Sequence, residues 1–232
     1  MKIVLIHGQN HKGSSYNIGR MVADKIAGEN DITEFFLPKD LNHFCVGCYN
    51  CIDDETKCPF FEEKQKIMSA VEDADLLILT TPTYCMRASA PMKSFLDLTF
   101  TYWMVHRPRE CMFEKRAVVI STAAGAGTSG AIKDITTALG YWGISDITKF
   151  GTGVAAMGWD KVAPKKKDKI TKRINKIAKK LSTAKKPKIS IKTKFLFSMM
   201  RMMQKGGMGS SEAEREYWEN KGWFGNKRPW KR

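Results

Sequence analysis

Short, continuous hydrophobic runs alternate along this chain with longer segments whose apolar residues recur at helical spacing. Strong strands are predicted at 3–6, 75–81 and 116–121, and weaker strands at 31–37 and 147–154. Helices are predicted at 18–26, 62–73, 91–98, 131–139 and 165–181. Continuous apolar runs are typical of strands that are buried on both faces. Strands that alternate with helices predict a parallel sheet covered on both sides.

The predicted architecture is an α/β domain built on a five-stranded, doubly wound parallel sheet. Five strands fit the flavodoxin-like order 2-1-3-4-5, in which a ligand binds beyond the carboxyl ends of the strands. With 232 residues the chain is long enough to bury a sizeable core in one large domain with appendages. We expect the flavodoxin-like domain to cover residues 1–184 and a basic helical extension to cover residues 185–232.

Three polar loops follow three of the predicted strands, at the edge where a ligand is expected. We name them the first loop (8–17), the second loop (82–86) and the third loop (122–127). The first loop leads into a helix, whose free backbone N–H groups and positive dipole end suit a phosphate. It lacks the G-x-G-x-x-G and G-x-x-x-x-G-K-[ST] patterns, and its serines suit a phosphate monoester held by hydroxyl groups. An ordinary N-capped helix is the alternative interpretation.

The three loops resemble those of the flavodoxin-like NAD(P)H-dependent FMN reductase family, and more narrowly those of its iron–sulfur flavoprotein branch. The similarity covers residues 1–158, with 93–97 behind the second loop and 141–143 behind the third loop. It implies that FMN is bound by Gln9, Ser14, Ser15, Tyr16, Asn17, Pro82, Thr83, Tyr84, Cys85, Met86, Thr122, Ala123, Ala124, Gly125 and Gly127.

The resemblance implies an enzyme whose flavin carries the redox chemistry, so no catalytic side chain is expected. Electrons would come from NAD(P)H, or from a reduced protein carrier such as ferredoxin. They would pass to a quinone, a free flavin, a nitro compound or an oxygen species. The resemblance also implies a homodimer or a higher homo-oligomer. The alternative is an iron–sulfur flavoprotein that acts as an electron carrier or redox sensor without small-molecule turnover.

Four of the six cysteines lie close together, between the second predicted strand and the next helix. Cys45, Cys48, Cys51 and Cys58 form a C-x2-C-x2-C-x6-C pattern, and a proline follows the fourth. Repeated two-residue spacing followed by Cys-Pro is typical of chains that bind a [4Fe–4S] cluster. Most structural zinc sites instead separate two C-x2-C units by a dozen or more residues. We predict one [4Fe–4S] cluster at these cysteines, with zinc or free thiols as the alternatives.

The net charge of +15 is concentrated in the second part of the chain. Residues 161–232 carry 23 Lys and Arg against five Asp and Glu, whereas residues 1–160 have a net charge of −3. Because the basic residues belong to one segment, the overall charge does not indicate a nucleic-acid-binding protein. We expect no specific binding of nucleic acid or anionic lipid at physiological salt.

A Met-rich, amphipathic helix is predicted at 195–203, within the basic extension. Met-rich surfaces suit adaptable protein contacts, and we expect this helix to cover a neighbouring subunit. An interfacial membrane helix is the alternative.

The sequence has no hydrophobic run of the roughly 18 residues needed to span a bilayer. Met1 and Lys2 lead directly into the first strand, without the longer apolar core of a signal peptide. Six cysteines without a secretory signal favour thiol, metal or redox chemistry over disulfides. We therefore expect a cytoplasmic protein without a transmembrane segment.

Overall fold

The computed structural model describes residues 1–28, 31–183, 186–208 and 211–231. Its strands are β1 (Ile3–His7), β2 (Ile32–Phe36), β3 (Leu76–Tyr84), β4 (Arg87–Ala88), β5 (Arg116–Ala123) and β6 (Asp146–Gly153). Its helices are α1 (Ser14–Ala23), α2 (Asn50–Asp53), α3 (Phe61–Asp73), α4 (Ala90–Leu98), α5 (Thr128–Tyr141), α6 (Pro164–Thr183), α7 (Ile191–Lys205) and α8 (Glu212–Asn220). Short 3-10 turns lie at Glu55–Lys57, Phe100–Tyr102 and Glu110–Glu114.

The five long strands form one parallel sheet in the order β2-β1-β3-β5-β6. Counted among the parallel strands alone, this is the predicted order 2-1-3-4-5, and the predicted flavodoxin-like fold is confirmed. The short strand β4 is antiparallel to the end of β3 and pairs with no other strand in the described part of the sheet. All five carboxyl ends therefore point to the same edge.

Both faces of the sheet are covered, which explains the continuous apolar runs in the sequence. In β1, Val4 and Ile6 pack into the core beneath α3, α4 and α5, whereas Ile3 and Leu5 pack into the core beneath α1 and α6. All five residues of β1 are buried. Side chains on a strand alternate between the two faces, so a strand with a core on each side needs an apolar residue at every position.

Strand β3 continues three residues further than the hydrophobic pattern predicts. The pattern ends the strand at residue 81, but Thr83 and Tyr84 pair with Ala88 and Arg87 in a short hairpin. Thr83 and Tyr84 are not fully buried, so they do not contribute to the apolar run from which the strand was predicted. This part of the strand is not buried between two cores, and its backbone pairing with β4 holds it in position instead.

The C-terminal helices pack onto the body of the protein and form a third hydrophobic core. Phe197 and Met200 of α7 and Trp218 of α8 are buried against Met104 and Phe113. The buried face of the predicted Met-rich helix is thus covered by its own chain, and a role in subunit packing stays a prediction for its other face. The predicted boundary between residues 184 and 185 lies outside the described residues.

Helix α6 carries the largest group of lysines and packs through one face only. Ile170, Ile174 and Leu181 enter the core beneath α1 and α6, while most of its lysines face solvent. Among the helices in the described ranges, none is both long enough and apolar enough to cross a membrane.

Substitutions on the two faces of α7 are expected to have very different effects on stability. Phe197→Ala removes a fully buried ring from the third core and should lower the free energy of unfolding by about 3–5 kcal/mol. Phe195→Ala on the exposed face is the matched control and should change it by less than about 0.5 kcal/mol. Urea denaturation measures both values, and equal values would contradict the packing of α7 described here.

Candidate functional site

The first loop connects the end of β1 to the start of α1 and is anchored to the neighbouring strand. The Gly8 N–H donates a hydrogen bond to the Thr80 carbonyl oxygen (2.7 Å). The Ser89 hydroxyl donates to the Gly8 carbonyl oxygen (2.7 Å). Gly13 is the N-cap of α1, and no side chain within the described part of the chain caps this helix. Its first-turn N–H groups have no intrahelical partners, so this helix end can bind an anion.

The side chains predicted to hold a phosphate lie at this helix start and differ in what they contact. Ser14 and Ser15 begin α1, and Ser15 is buried. The Tyr16 ring packs against the rings of His7 and Phe36, which also contact each other. The Asn17 side-chain amide donates to the carbonyl oxygens of Lys12 (2.9 Å) and Gly13 (2.8 Å). Both protons of that amide are used within the loop, so Asn17 shapes the loop in this conformation.

Gln9 is half-buried near the start of the first loop. The next residue, Asn10, accepts a hydrogen bond from the Lys39 N–H through its side-chain oxygen (3.2 Å). The first loop is therefore fastened to the chain that follows β2 as well as to β3.

The second loop is the tight turn of the β3–β4 hairpin. Cys85 and Met86 occupy its two central positions and both have positive φ angles, of 48° and 64°. This pattern is typical of a type I′ turn, which glycine or asparagine usually forms. Asp134 of α5 fastens the hairpin: its carboxylate accepts from the Arg87 Nε (3.0 Å) and from the Ala88 N–H (3.1 Å). The turn thereby presents the side chains of Tyr84 and Met86 to solvent at the sheet edge.

The third loop begins with the buried end of β5 and becomes exposed at Ala124 and Gly125. It ends at Gly127, the N-cap of α5, which has a φ of 96°. A Cβ atom at Gly127 would lie 2.7 Å from the Met86 sulfur, so the second and third loops are in contact. The hydroxyls of Thr83 and Ser121 are also hydrogen-bonded to each other (2.9 Å).

The structure brings the predicted residues of all three loops to one continuous edge of the sheet. The first loop contacts β3 and Ser89, the second loop follows from β3, and the third loop touches the hairpin. The edge combines a free helix N-terminus, exposed backbone and a few hydroxyl groups. This arrangement can hold a phosphate at one end and a planar ring system along the loops.

Three polar residues support this edge although the sequence pattern did not indicate them. Ser89 is fully buried, and its N–H donates to the Thr81 hydroxyl (3.0 Å). Asp134 fastens the hairpin from α5. His7 is hydrogen-bonded to Thr80 (2.9 Å) and to Glu34. Although burial acts to raise the pKa of Glu34, its hydrogen bond with His7 and the charges of His7 and Arg20 lower it below its usual value.

The four clustered cysteines line one cavity of about 170 Å³, together with Leu98 and Phe100. Cys45 and Cys48 are exposed, Cys58 is half-buried and Cys51 is buried. The loop that carries them bends sharply, with positive φ angles at Gly47 (68°) and Tyr49 (60°). Within the described residues, no group of three or more His, Cys, Asp or Glu side chains is arranged to hold a metal ion. The cysteines therefore share a cavity without being drawn together into a ligand set.

A buried lysine, Lys64, lies close enough to this cavity for its charge to act on the Cys51 thiol. Lys64 of α3 is fully buried, and its ammonium group has no hydrogen-bonding partner in the described part of the chain. The pKa of the Cys51 thiol is raised above its usual value, chiefly by burial; the neighbouring thiols of Cys58 and Cys45 also act to raise it, whereas the positive charge of Lys64 acts to lower it. A buried charge without a partner is costly. The combination of Lys64 and thiols favours an anionic group at this position.

Two arginines brace the cysteine loop from the segment after α4. The Arg107 guanidinium donates to the carbonyl oxygens of Cys51 and Ile52. Arg107 and Arg109 both pair with the carboxylate of Glu55, at 3.4 and 2.6 Å. The loop is thus held through its backbone and through an acidic side chain, so the fold positions it even without a ligand.

Helix α8 covers the segment that carries these arginines. The Tyr217 hydroxyl donates to the Pro108 carbonyl oxygen (2.7 Å), and the Trp218 indole donates to the His106 carbonyl oxygen (2.6 Å). His106 in turn pairs with the buried carboxylate of Glu214 (2.7 Å). The C-terminal extension is therefore part of the support of the cysteine loop.

The sheet order defines a flavodoxin-like protein, and the three loops lie together at the carboxyl edge of its sheet. The sequence model of the NADPH-dependent FMN reductase family matches residues 1–156. The chain belongs to that family, and it is an oxidoreductase.

One curated relative and two solved structures are similar to this chain. The chain is 30% identical over 143 residues to an iron–sulfur flavoprotein of Methanocaldococcus jannaschii, which covers 58% of this chain and 69% of that protein. An FMN-dependent NADH-azoreductase from Bacillus anthracis, solved in complex with FMN, has a TM-score of 0.57 at 14% identity and covers 79% of this chain and 100% of its own. An NAD(P)H:quinone oxidoreductase from Methanothermobacter marburgensis has a TM-score of 0.56 at 14% identity and covers 80% and 98%. Because both identities are only 14%, the two solved structures support the fold alone.

Proposed function

We propose that this protein binds FMN and transfers electrons from NAD(P)H, or from a reduced protein carrier, to a small acceptor. Quinones, free flavins, nitro compounds and oxygen species are the acceptor classes. The observation that carries the proposal is the continuous edge formed by the three loops, with an uncapped helix start at one end. Membership of the NADPH-dependent FMN reductase family supports it.

The residues at this edge fit the two ends of FMN. The first-turn N–H groups of α1 and the hydroxyls of Ser14 and Ser15 would hold the phosphate, since a helix N-terminus favours an anion. The exposed backbone of the second and third loops would face the polar edge of the ring system, and Tyr84 would flank the ring. When bound, FMN supplies the redox chemistry and exchanges either a hydride or single electrons. The protein contributes binding, orientation and electrostatics.

We further propose that Cys45, Cys48, Cys51 and Cys58 bind one [4Fe–4S] cluster. All four line one cavity, and a cluster held by thiolates is anionic, which suits the buried ammonium of Lys64, because that group has no hydrogen-bonding partner among the described residues. The described cysteines are not arranged as a ligand set, so metal binding would draw them together. The similarity to an iron–sulfur flavoprotein supports this proposal, and zinc and free thiols are the competing occupants.

The second candidate is an electron carrier or redox sensor that binds FMN and the cluster without turning over a small molecule. Cys45 and Cys48 are exposed, so a protein such as ferredoxin could contact the cluster site directly. A homodimer or higher homo-oligomer and a cytoplasmic location stay predictions for either candidate.

Steady-state oxidation of the nicotinamide separates the two candidates. Protein purified under argon is expected to show a flavin spectrum and to oxidise NADH or NADPH when a quinone or flavin is added. Reduction by ferredoxin without hydride uptake from either nicotinamide would favour the carrier. A colourless protein that does not bind added FMN would contradict both candidates.

Ser15→Ala is expected to weaken FMN binding by about 10- to 100-fold, because a hydrogen bond to a charged group contributes about 1.5–3 kcal/mol. Riboflavin lacks the phosphate and is the matched control ligand, so its affinity should not change. Flavin fluorescence quenching measures both dissociation constants. An equal loss for the two ligands would place the phosphate elsewhere, even if FMN binds.

Iron and acid-labile sulfide should each approach about four per chain in anaerobic protein, by the stoichiometry of a [4Fe–4S] cluster. Cys45→Ser should lower both contents while FMN stays bound, because Cys45 is not among the residues proposed to bind FMN. Zinc at about one per chain, or no metal after anaerobic reconstitution, would contradict the cluster and leave the FMN proposal standing.

Lys64→Met provides a second measurement on the same site, with Lys66→Met as its matched control. Lys66 lies on the same helix but is exposed. Loss of the buried positive charge should shift the midpoint potential of the cluster to a more negative value, since net charge near a cluster sets its potential. Redox titration followed by electron paramagnetic resonance measures the shift. Equal potentials in the two variants would contradict a role for Lys64 as counter-ion.

A further inference from the structure

An apolar stripe runs along the outer face of α7. Ile191, Phe195 and Met202 are 87%, 69% and 66% exposed. Their spacing of four and seven residues places them on the same side of the helix, with Ser198 between them. Large side chains at such exposure are ordinary when they are scattered singly, but a row of them on one helix face marks a contact surface.

The opposite face of α7 already has its partner in the chain. Thr193, Phe197, Met200 and Gln204 are buried, and the Gln204 side chain donates to the Val105 carbonyl oxygen. The Arg201 guanidinium donates to the carbonyl oxygens of Trp223 and Phe224 (2.6 Å each). The helix is therefore firmly placed, and its outer stripe is not needed to hold it.

The charged residues of the segment that carries the stripe are all basic. Residues 186–208 contain six Lys and Arg and no Asp or Glu. On the wheel of α7, Lys194 and Lys205 flank the stripe on one side and Lys192 flanks it on the other. All three lysines are exposed. A row of large apolar side chains bordered by lysines is the pattern of a helix that lies in the interface of a membrane.

We propose that the outer face of α7 docks onto an anionic phospholipid surface, with the helix axis parallel to the bilayer. The stripe would enter the boundary between headgroups and acyl chains, and the flanking lysines would contact the anionic headgroups. This differs from the expectation based on charge alone, because the structure shows that the basic surface also exposes large apolar side chains. The proposal does not depend on FMN or on the cluster.

Two other occupants fit this face less well. A second copy of the chain in a symmetric dimer would bring the same lysines against each other, with no acidic residue of this segment to separate them. A nucleic acid would satisfy the lysines but gives no reason for exposed Ile191, Phe195 and Met202, because phosphate contacts need only the charges. An anionic lipid surface uses both features.

Flotation of the full-length protein with vesicles tests the proposal. The probes are vesicles of phosphatidylcholine alone and of phosphatidylcholine with phosphatidylglycerol, at physiological salt. We expect flotation with the anionic vesicles only. A variant with Ile191→Ser, Phe195→Ser and Met202→Ser should bind at least tenfold more weakly. Met157→Ser is the matched control, since Met157 is an even more exposed methionine outside α7 and its substitution should leave flotation unchanged.

A second variant separates the two parts of the surface. Lys192→Gln with Lys194→Gln should weaken binding to anionic vesicles and reduce its dependence on salt, because fewer charges contact the headgroups. Circular dichroism checks that both multiple variants are folded.

Four outcomes would overturn the proposal. The first is no flotation of the wild-type protein with anionic vesicles. The second is flotation that the serine variant retains in full. The third is light scattering in which the lipid-free wild type is a dimer and the serine variant a monomer, which would assign the stripe to a second copy. Binding to DNA that is as tight as binding to vesicles and insensitive to the serine substitutions would likewise assign the surface to a polyanion.

Discussion

The pairing of β1 with a parallel neighbour on each side is the constraint on which the rest of the structure depends. β1 is hydrogen-bonded to β2 and to β3 in register, and all its residues are buried. Because the pairing is parallel, the loops after these strands emerge at one edge. At that edge Gly8, just after β1, is hydrogen-bonded to Thr80 of β3 and to Ser89, which precedes α4. The position of the candidate FMN site thus depends first on the parallel direction of the strands, and only then on particular side chains.

The sequence allowed the sheet and the loop positions to be predicted because burial demands an unbroken apolar pattern. Val4 and Leu5 face different cores, and both are necessarily hydrophobic. The supporting polar residues were not predictable in the same way. Ser89 meets Gly8 across 81 positions of sequence, and Arg107 meets Cys51 across 56. A polar side chain has no periodic pattern, so its role becomes visible only when the fold supplies its partner.

The cysteine loop shows how two opposite requirements are combined in one place. The cavity is lined by thiols and apolar side chains, which favours uncharged groups. Yet the charge of the buried Lys64 acts on Cys51, and its ammonium has no hydrogen-bonding partner among the described residues. The positive charge of Lys64 is therefore not neutralised by a hydrogen-bonded group among the described residues. Arg107 and Arg109 both pair with Glu55 and stabilise the loop conformation, so the unbalanced charge is limited to the cavity. The proposed cluster would complete the charge balance without rebuilding the surrounding structure.

The contacts of α8 also have a consequence for the order in which the protein is made. Glu214 pairs with His106 across 108 positions of sequence, and Trp218 contacts the same segment across 112. After the cysteine loop, Arg107 and Arg109 have been synthesised, the ribosome must add about a hundred further residues before α8 can cover them. During that interval the thiols emerge on a loop without its full brace. The site of the proposed cluster would therefore be fully braced only after α8 has been synthesised, and a chain that ends before Glu212 would lack this part of its support.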